Sequence, residues 1–319
     1  MNKDLLKVGL AQITPVWLNR DATLAKVIDY IGQAKAQGVE LIVFGEALVP
    51  GYPFWPELTD GARFNAQDQK EIYAHYADQA VQIEAGHLDD VCSAAKQNHM
   101  AVYLGIIERA QNRGGHSLYC TMVYIDQTGK IGSVHRKLMP TYDERLNWSS
   151  GDGHGLRVHS LGAFTVGGLN CWENWMPLPR AALYGQGEDL HVAIWPGSKR
   201  NTDDITRFMA KEGRSFVISV SGMMRAQNLT GDIPHIDEMK ANCQVDFLAN
   251  GGSCLAGPDG EWIIEPQCQQ EGLFTATIDH TKVREERQSF DPVGHYSRPD
   301  VTKLTVDRRR QSTVDFIDE

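Results

Sequence analysis

Apolar and polar positions along the first forty residues predict a strand followed by a helix. Residues 7–13 alternate between apolar and polar side chains, as a half-buried strand does. Apolar residues at helical spacing then predict a helix over 19–37. Asn19 or Asp21 can accept hydrogen bonds from the free amides of the first turn, and Gly38 can end the helix in a left-handed conformation.

The alternation of strand and helix patterns continues to about residue 305. A continuous apolar run at 41–44 predicts a strand that is covered on both faces. Helical patterns follow at 66–99, 178–184 and about 202–217. Further strands are expected at 101–107, 117–125, 130–134, 164–169, 190–195, 216–220, 253–256, 262–265 and 273–278. Because no linker or repeat interrupts the series, we expect one α/β domain over residues 1–305 and a short polar tail over 306–319.

Composition and charge narrow the classes of protein to which the chain can belong. Of its 319 residues 42% are hydrophobic, which is enough for a full core, and the net charge of −10 argues against nucleic acid or an anionic membrane as the main partner. No apolar run approaches the roughly 18 residues of a membrane span. Residues 1–7 carry charges where a signal peptide would become apolar, so we expect a cytoplasmic protein with free thiols. The basic run at 308–310 is expected to be solvated.

Cys171 is the first candidate for a chemical role. It lies just beyond the predicted strand at 164–169, and side chains at the carboxyl end of a strand in an α/β protein lie where ligands usually bind. On position alone, however, the ordinary alternative of a small buried apolar residue is favoured. Its interpretation therefore depends on which other groups accompany it.

Glu46 and Lys137 each follow a predicted strand in the same way. Taken singly, a surface carboxylate and a solvated ammonium are the ordinary interpretations. Together with Cys171 they make chemical sense, because a carboxylate can take the proton of a thiol and an ammonium can stabilise the negative charge that develops on the attacked group. Spacing along the chain does not establish that the three meet in space.

The segments around these residues resemble the three signature blocks of the nitrilase superfamily, and they occur in the family's order. The blocks here are 44–53, 135–141 and 171–175. Gly151-Asp152-Gly153 and Trp195-Pro196-Gly197 are also placed as in the family. The resemblance extends over nearly the whole chain, from residues 8–12 to residues 295–300.

This resemblance implies a fold and a site. The fold would be the superfamily's four-layer α-β-β-α sandwich, and the site would be a triad of Glu46, Lys137 and Cys171. The family has a further glutamate just after the lysine, matched here by Glu144, which would hydrogen-bond Lys137 and help to position water. No metal or other cofactor is implied. Family members assemble through helices near the site, so we expect a homodimer or a larger homo-oligomer, possibly a spiral.

The block that contains the cysteine separates branches of the superfamily. Cys-Trp-Glu-Asn at 171–174 is similar to true nitrilases, whereas amidases and carbamoylases more often have Cys-Tyr-Asp. The resemblance thus implies hydrolysis of an organic nitrile to a carboxylic acid and ammonia through a covalent intermediate on Cys171. An amidase or carbamoylase, a cyanide hydratase that yields only an amide, and a catalytically silent binding or scaffold protein remain as alternatives.

Aromatic residues near the three blocks are candidates for the substrate pocket, although aromatic side chains more often belong to the core. They are Tyr52, Trp55, Tyr142, Trp148, Trp172 and Trp195. Glu173 joins them because its proximity to Cys171 could bias the choice between acid and amide product. Aromatic, arylaliphatic and aliphatic nitriles all stay open as substrates.

Other motifs give weaker signals. His154 and His159 have a spacing that zinc sites sometimes use, but no cysteine pair lies near them, so we interpret them as loop histidines. None of the eleven histidines is adjacent to Cys171, and a Cys-His pair assembled from distant segments stays open.

Overall fold

The computed structural model describes residues 4–314 and 317–318, and its elements alternate between strand and helix as expected. The strands are β1 (Leu5–Gln12), β2 (Leu41–Phe44), β3 (Ala101–Arg109), β4 (Leu118–Ile125), β5 (Ile131–Arg136), β6 (His159–Leu161), β7 (Phe164–Asn170), β8 (Leu190–Trp195), β9 (Phe216–Ser221), β10 (Met223–Arg225), β11 (Phe247–Ala256), β12 (Trp262–Cys268) and β13 (Gly272–Asp279). The helices are α1 (Arg20–Ala36), α2 (Trp55–Leu58), α3 (Gln67–Gln79), α4 (Asp89–Asn98), α5 (Pro177–Tyr184), α6 (Lys199–Gly213), α7 (Ile236–Asn242) and α8 (Thr281–Arg287).

Two sheets form the centre of the molecule. The first has the strand order β13-β1-β2-β3-β4-β5, and the second has the order β10-β11-β9-β8-β7-β6, with β12 paired to β11. In the first sheet β1, β2 and β3 are parallel, and in the second β7, β8 and β9 are parallel. Their inner faces share one apolar core, to which β1, β2 and β3 contribute from one sheet and β7, β8 and β9 from the other.

Helices cover the outer face of each sheet. Helices α1 and α4 contact each other and share an apolar cluster with β2 and β3 of the first sheet. Helix α6 packs on β9 and β11 of the second sheet, and α5 contacts β7. The layers therefore run helix, sheet, sheet, helix, which confirms the predicted α-β-β-α sandwich. The completely buried strand β2 is continuous in apolar residues because both of its faces are covered.

The predicted ends of helix α1 are confirmed, whereas the predicted end of helix α6 is wrong. The side chain of Asn19 caps α1 by accepting a hydrogen bond from the Ala22 amide, and Gly38 follows the helix in a left-handed conformation at φ 74°. Helix α6 was expected to reach residue 217 but ends at Gly213. The reason is that Arg214 adopts φ 46°, which interrupts the helical hydrogen bonds before β9 begins.

The C-terminal segment lies against the body of the protein at residues 308–311. Arg310 donates to the Asp152 carboxylate at 2.9 Å and to the carbonyl of Val134 at 2.9 Å. Arg309, in contrast, is exposed, and pairs only with nearby Asp307 among the described residues. The expectation of a solvated basic run is thus wrong for Arg310, because its guanidinium binds the buried carboxylate of Asp152. The domain boundary at residue 305 stays a prediction.

Across residues 4–314 and 317–318, no helix is both long enough and apolar enough to cross a bilayer.

Candidate active site

The three candidate residues each follow a strand end, but they belong to different sheets. Glu46 comes just after β2 and Lys137 directly after β5, both in the first sheet. Cys171 comes directly after β7 in the second sheet. Because the two sheets pack face to face with contacts between β2 and β8 and between β4 and β7, these ends are brought to one place.

The side chains of the predicted site form a compact buried cluster. The Lys137 ammonium lies 2.9 Å from Oε1 of Glu46 and 2.7 Å from Oε2 of Glu144. One carboxylate oxygen of Glu46, one of Glu144 and the Sγ atom of Cys171 all lie within 4.8 Å of one another. All four side chains are at most 3% exposed. The structure thus brings together the four residues for which a catalytic role was predicted.

Glu144 is held in place from several sides. It lies in the 3-10 turn Tyr142–Leu146, where its Oε2 accepts a hydrogen bond from the Thr141 amide at 2.6 Å. The Tyr52 hydroxyl donates to its other oxygen at 3.0 Å. The Lys137 ammonium also lies 5.6 Å from the ring centroid of Trp148, within the range of a cation–π contact. These contacts fix Lys137 between two carboxylates.

Burial dominates the electrostatics of the cluster. Desolvation raises the pKa of Glu46 to about 7, the Lys137 charge offsets part of that rise, and repulsion from Glu144 adds to it. Burial alone would lower the pKa of Lys137. The attraction of the ammonium to Cys171 in its thiolate form, and to the Glu46 and Glu144 carboxylates, outweighs that effect and holds the pKa of Lys137 well above its ordinary value. Lys137 therefore stays charged, while Glu46 can change protonation state near neutral pH.

The Cys171 thiol is neutral at rest. Burial raises the pKa of Cys171 well above its ordinary value, and the nearby Glu46 charge raises it further. Lys137 and a hydrogen bond from the backbone of Trp172 act in the opposite direction. A thiol of this kind needs a base to become a nucleophile. The charged groups that act on it are Glu46, Lys137 and Glu144, which is the arrangement of a Glu-Lys-Cys site.

A sharp turn presents Cys171 at the end of β7. The residue has φ 47°, a left-handed conformation that costs a non-glycine residue about 1–3 kcal/mol. The Asn174 side chain stabilises the turn by donating to the carbonyls of Cys171 at 2.8 Å and Leu169 at 3.2 Å. His191 in turn binds the Asn174 side-chain oxygen at 2.8 Å, and Glu188 binds the other nitrogen of His191.

Glu173 connects the segments that carry Lys137 and Cys171. One carboxylate oxygen accepts from the Leu138 amide at 2.5 Å, and the other accepts from the Asn170 amide at 2.8 Å. His135 lies 3.0 Å from the same carboxylate. Each of these partners is within two residues of Lys137 or Cys171. The buried Glu173 carboxylate therefore holds the two segments at a fixed separation.

Four of the predicted pocket residues differ in their exposure to solvent. Tyr142 is 83% exposed and Trp172 is 53% exposed, and both line a surface depression of about 480 Å³ beside the site. Trp55 is buried against Tyr76, and Trp195 is completely buried. The Trp195 carbonyl accepts a hydrogen bond from the Glu46 amide at 3.2 Å, so it supports the site through its backbone. A role in substrate binding stays a prediction for all of them.

The donor atoms of Glu46, Glu144 and Cys171 are close enough to share a metal ion. The ammonium of Lys137, however, lies within 2.9 Å of both carboxylates and already supplies a positive charge at that position. Among the described residues, His154 and His159 do not form such a group. His159 lies in strand β6 and stacks on Tyr124 with ring centroids 4.0 Å apart, so its interpretation as a loop histidine is wrong.

Sequence reasoning missed several residues that support the site. Cys120 on β4 donates to Oε1 of Glu46 at 3.3 Å, and Asn174 and His191 form the network behind the Cys171 turn. A cysteine or histidine inside an apolar strand carries no local sign of such a contact. Only the position of Asn174, three residues after the nucleophile candidate, is a usable signal for a side chain that caps a turn.

Comparisons with known proteins agree with this arrangement. The carbon-nitrogen hydrolase family model matches residues 7–288. The chain is 35% identical to a "Nitrilase 2" from an unknown prokaryotic organism (98% of this chain, 95% of the relative) and 34% identical to an "Aliphatic nitrilase" of Rhodococcus rhodochrous (98% and 82%). It is also 32% identical to "Nitrilase 2" of Arabidopsis thaliana (98% and 92%).

Solved structures share the fold at lower identity. An amidase from Nesterenkonia sp. superimposes with a TM-score of 0.64 at 15% identity, covering 91% of this chain and 96% of the amidase. A carbon-nitrogen hydrolase from Helicobacter pylori G27 also gives 0.64, at 17% identity, covering 93% and 96%. With a family match over most of its length and relatives above 30% identity along nearly all of it, this chain belongs to the carbon-nitrogen hydrolases of the nitrilase superfamily.

Proposed function

We propose that this protein is a nitrilase that hydrolyses an organic nitrile to the carboxylic acid and ammonia. The observation that carries the proposal is the buried cluster in which Glu46, Lys137 and Glu144 surround the neutral thiol of Cys171. The nitrilase relatives, at 32–35% identity over 98% of the chain, support nitriles as the substrate class.

Glu46 is the general base of the first step. Its Oε1 contacts Lys137 and Cys120, while Oε2 is buried without a hydrogen-bond partner among the described residues. The Cys171 proton passes to this carboxylate, and the thiolate attacks the electrophilic carbon of the nitrile. A base with a pKa of about 7 suits proton transfer at neutral pH, because a useful fraction is ionised there.

Lys137 stabilises the charge that attack creates. The nitrile nitrogen becomes anionic as the carbon–sulfur bond forms, and it is stabilised by the ammonium and by the amide of Trp172, which follows Cys171. A charged donor that is fixed before the reaction stabilises such a transition state without reorganisation. The nitrogen then takes the proton held by Glu46, which gives a thioimidate on Cys171.

Hydrolysis completes the reaction in two further stages. Glu46 removes a proton from a water molecule, which adds to the thioimidate carbon, and Glu144 helps to position that water. The nitrogen takes this proton from Glu46 and a second from the hydroxyl that the water has become, leaves as ammonia, and a thioester remains. A second water releases the carboxylic acid and restores the thiol, so that one nitrile and two waters give one acid and one ammonia. If the thiol leaves before ammonia does, the product is an amide.

The exposed side chains beside the site are proposed to receive the organic group of the substrate. Tyr142 and Trp172 line the depression together with Met139 and Met176. This surface is mainly apolar and aromatic, so it favours uncharged organic groups over charged ones. The buried residues Trp55 and Trp195 act behind it as supports.

The deciding experiment is to measure ammonia release from a panel of aromatic, arylaliphatic and aliphatic nitriles and from their matching amides. Cys171→Ala is the control for background hydrolysis, and circular dichroism verifies its fold. We expect ammonia and acid from nitriles, lost in the variant. Release from amides alone would move the protein to the amidase branch, and turnover that survives in Cys171→Ala would refute the nucleophile assignment.

The protein is further proposed to act as at least a homodimer. Large apolar side chains are exposed on the segment that runs from the nucleophile turn into α5, and Phe208 on α6 adjoins them through Arg180. Those outside the proposed substrate depression are Trp175, Leu178 and Phe208. Several exposed large apolar side chains on neighbouring elements are typical of a protein interface. A monomeric mass in light scattering at assay concentration would contradict the proposal.

A cytoplasmic location completes the proposal. All six cysteines are unpaired, which suits a reducing compartment, and Cys171 needs a free thiol to react.

A further inference from the structure

A second buried thiol contacts the proposed general base. Cys120 lies on β4, is 1% exposed, and its Sγ donates to Oε1 of Glu46 at 3.3 Å. The same oxygen lies 2.9 Å from the Lys137 ammonium. Oε2 of Glu46 is buried and has no hydrogen-bond partner within the described ranges. The two oxygens of one carboxylate are therefore in different environments.

Cys120 also contacts the segment that carries Lys137. Its carbonyl accepts a hydrogen bond from the Lys137 amide at 2.8 Å. Cys120 thus contacts both the side chain of Glu46 and the backbone of Lys137. A buried cysteine is usually a small apolar residue, and Cys120 does pack in an apolar cluster with Ala47 and Trp148. Packing alone, however, does not require the thiol to point at a carboxylate.

We propose that Cys120 is a positioning residue whose thiol binds Oε1 of Glu46 and thereby leaves Oε2 as the oxygen that receives the Cys171 proton. The inference rests on the proposed function of Glu46 as the base. Two donors on one oxygen fix the rotation of the carboxylate about its last bond. Without Cys120 the carboxylate can rotate and present either oxygen to Lys137, so its reactive oxygen is no longer fixed.

Protonation gives this contact a measurable consequence. Burial, followed by the Glu46 charge, raises the pKa of Cys120 well above its ordinary value, so the thiol keeps its proton and remains a donor. A hydrogen bond donated to a carboxylate favours the ionised form and lowers its pKa. Loss of the thiol should therefore make Glu46 harder to ionise, and a stronger donor at the same place should make it easier.

The test uses three variants of Cys120 and one matched control. Cys120→Ala and Cys120→Val remove the donor, and valine keeps most of the packing volume. Cys120→Ser supplies a hydroxyl, which is a better donor than a thiol. The control is Cys254→Ala, the same change at another completely buried cysteine, whose thiol contacts Thr206 instead. For each protein kcat/KM for ammonia release is measured against pH, together with the thermal midpoint.

We expect the midpoint of the acid limb to move to higher pH by about half a pH unit or more in Cys120→Ala and Cys120→Val. In the same two variants kcat should fall at least about threefold. In Cys120→Ser the midpoint of the acid limb should lie at the same pH as in the wild type or at a lower pH. Cys254→Ala should leave it unchanged. If the alanine, valine and serine variants share the wild-type limb, or shift it in the same direction, Cys120 only fills space and the inference is wrong.

A second readout separates this inference from the proposed function. The rate at which iodoacetamide alkylates Cys171 is followed against pH by mass spectrometry of the peptide that contains it. This rate also depends on Glu46 as base, but it needs no nitrile. A wild-type protein that releases ammonia from neither nitriles nor amides would overturn the proposed function. The order of the alkylation profiles among the Cys120 variants would still support or refute the positioning role.

Discussion

The acid limb of the activity profile is expected close to neutrality. Burial raises the pKa of Glu46 to about 7, well above the value of roughly 4.3 for a solvated glutamate. Only the ionised carboxylate can take the Cys171 proton, so kcat/KM should be half of its plateau value near pH 7. Below that pH it should fall about tenfold for each pH unit, to roughly a tenth of the plateau at pH 6 and a hundredth at pH 5.

The assay measures initial rates of ammonia release at a nitrile concentration far below KM, between about pH 5 and pH 9 at constant ionic strength. Under these conditions kcat/KM reports the ionisation of the free enzyme. A simple nitrile does not titrate in this range, so the limb belongs to the protein. Enzyme held at each pH and then assayed at the plateau serves as the control for irreversible inactivation.

A limb centred between about pH 4 and 5 would refute this reasoning, because it would mean that the base is a solvated carboxylate. A profile that is flat down to pH 5 would refute it as well. Glu46, Lys137 and Cys171 interact strongly, so the measured midpoint belongs to the cluster as a whole. The Cys120 variants then report whether Glu46 dominates it.

Two substitutions test the supports of the site. Glu173→Gln should lower kcat/KM at least about tenfold, because an amide cannot accept hydrogen bonds on both of its ends from the Leu138 and Asn170 amides; Glu286→Gln, at a surface ion pair with Arg214, is the control. An unchanged rate in Glu173→Gln would show that the two segments keep their separation without it. Gly105→Ala should destabilise the protein by about 1–3 kcal/mol, since the added Cβ would lie 2.2 Å from the Gly45 carbonyl beside Glu46. The free energy of unfolding is measured by denaturant titration. Gly32→Ala on α1 is the control, because its added Cβ would enter open space and the change should be neutral or stabilising. Equal effects of the two substitutions would contradict this account.

Local patterns along the chain are enough to predict its strands and helices and the positions of the candidate residues along them. Helix α1 follows from its apolar stripe and its Asn19 cap, and β2 follows from a continuous apolar run. Such signals span one element, so they can be read without knowing what packs against it. The assignment of Glu46, Lys137 and Cys171 to strand ends followed in the same way. Their interpretation as one site needed the resemblance to a family.

How these residues meet, and which of their atoms are free to react, depends on the packing of the two sheets. The pairing of β2 with β3, and the packing of their sheet on that of β7, join residues more than a hundred positions apart. The contact of Cys120 with Glu46 arises from that packing, and so does the hydrogen bond from the Leu138 amide to the Glu173 carboxylate. The raised pKa of Glu46 has the same origin, because desolvation depends on everything that surrounds a group and not on its neighbours in the chain.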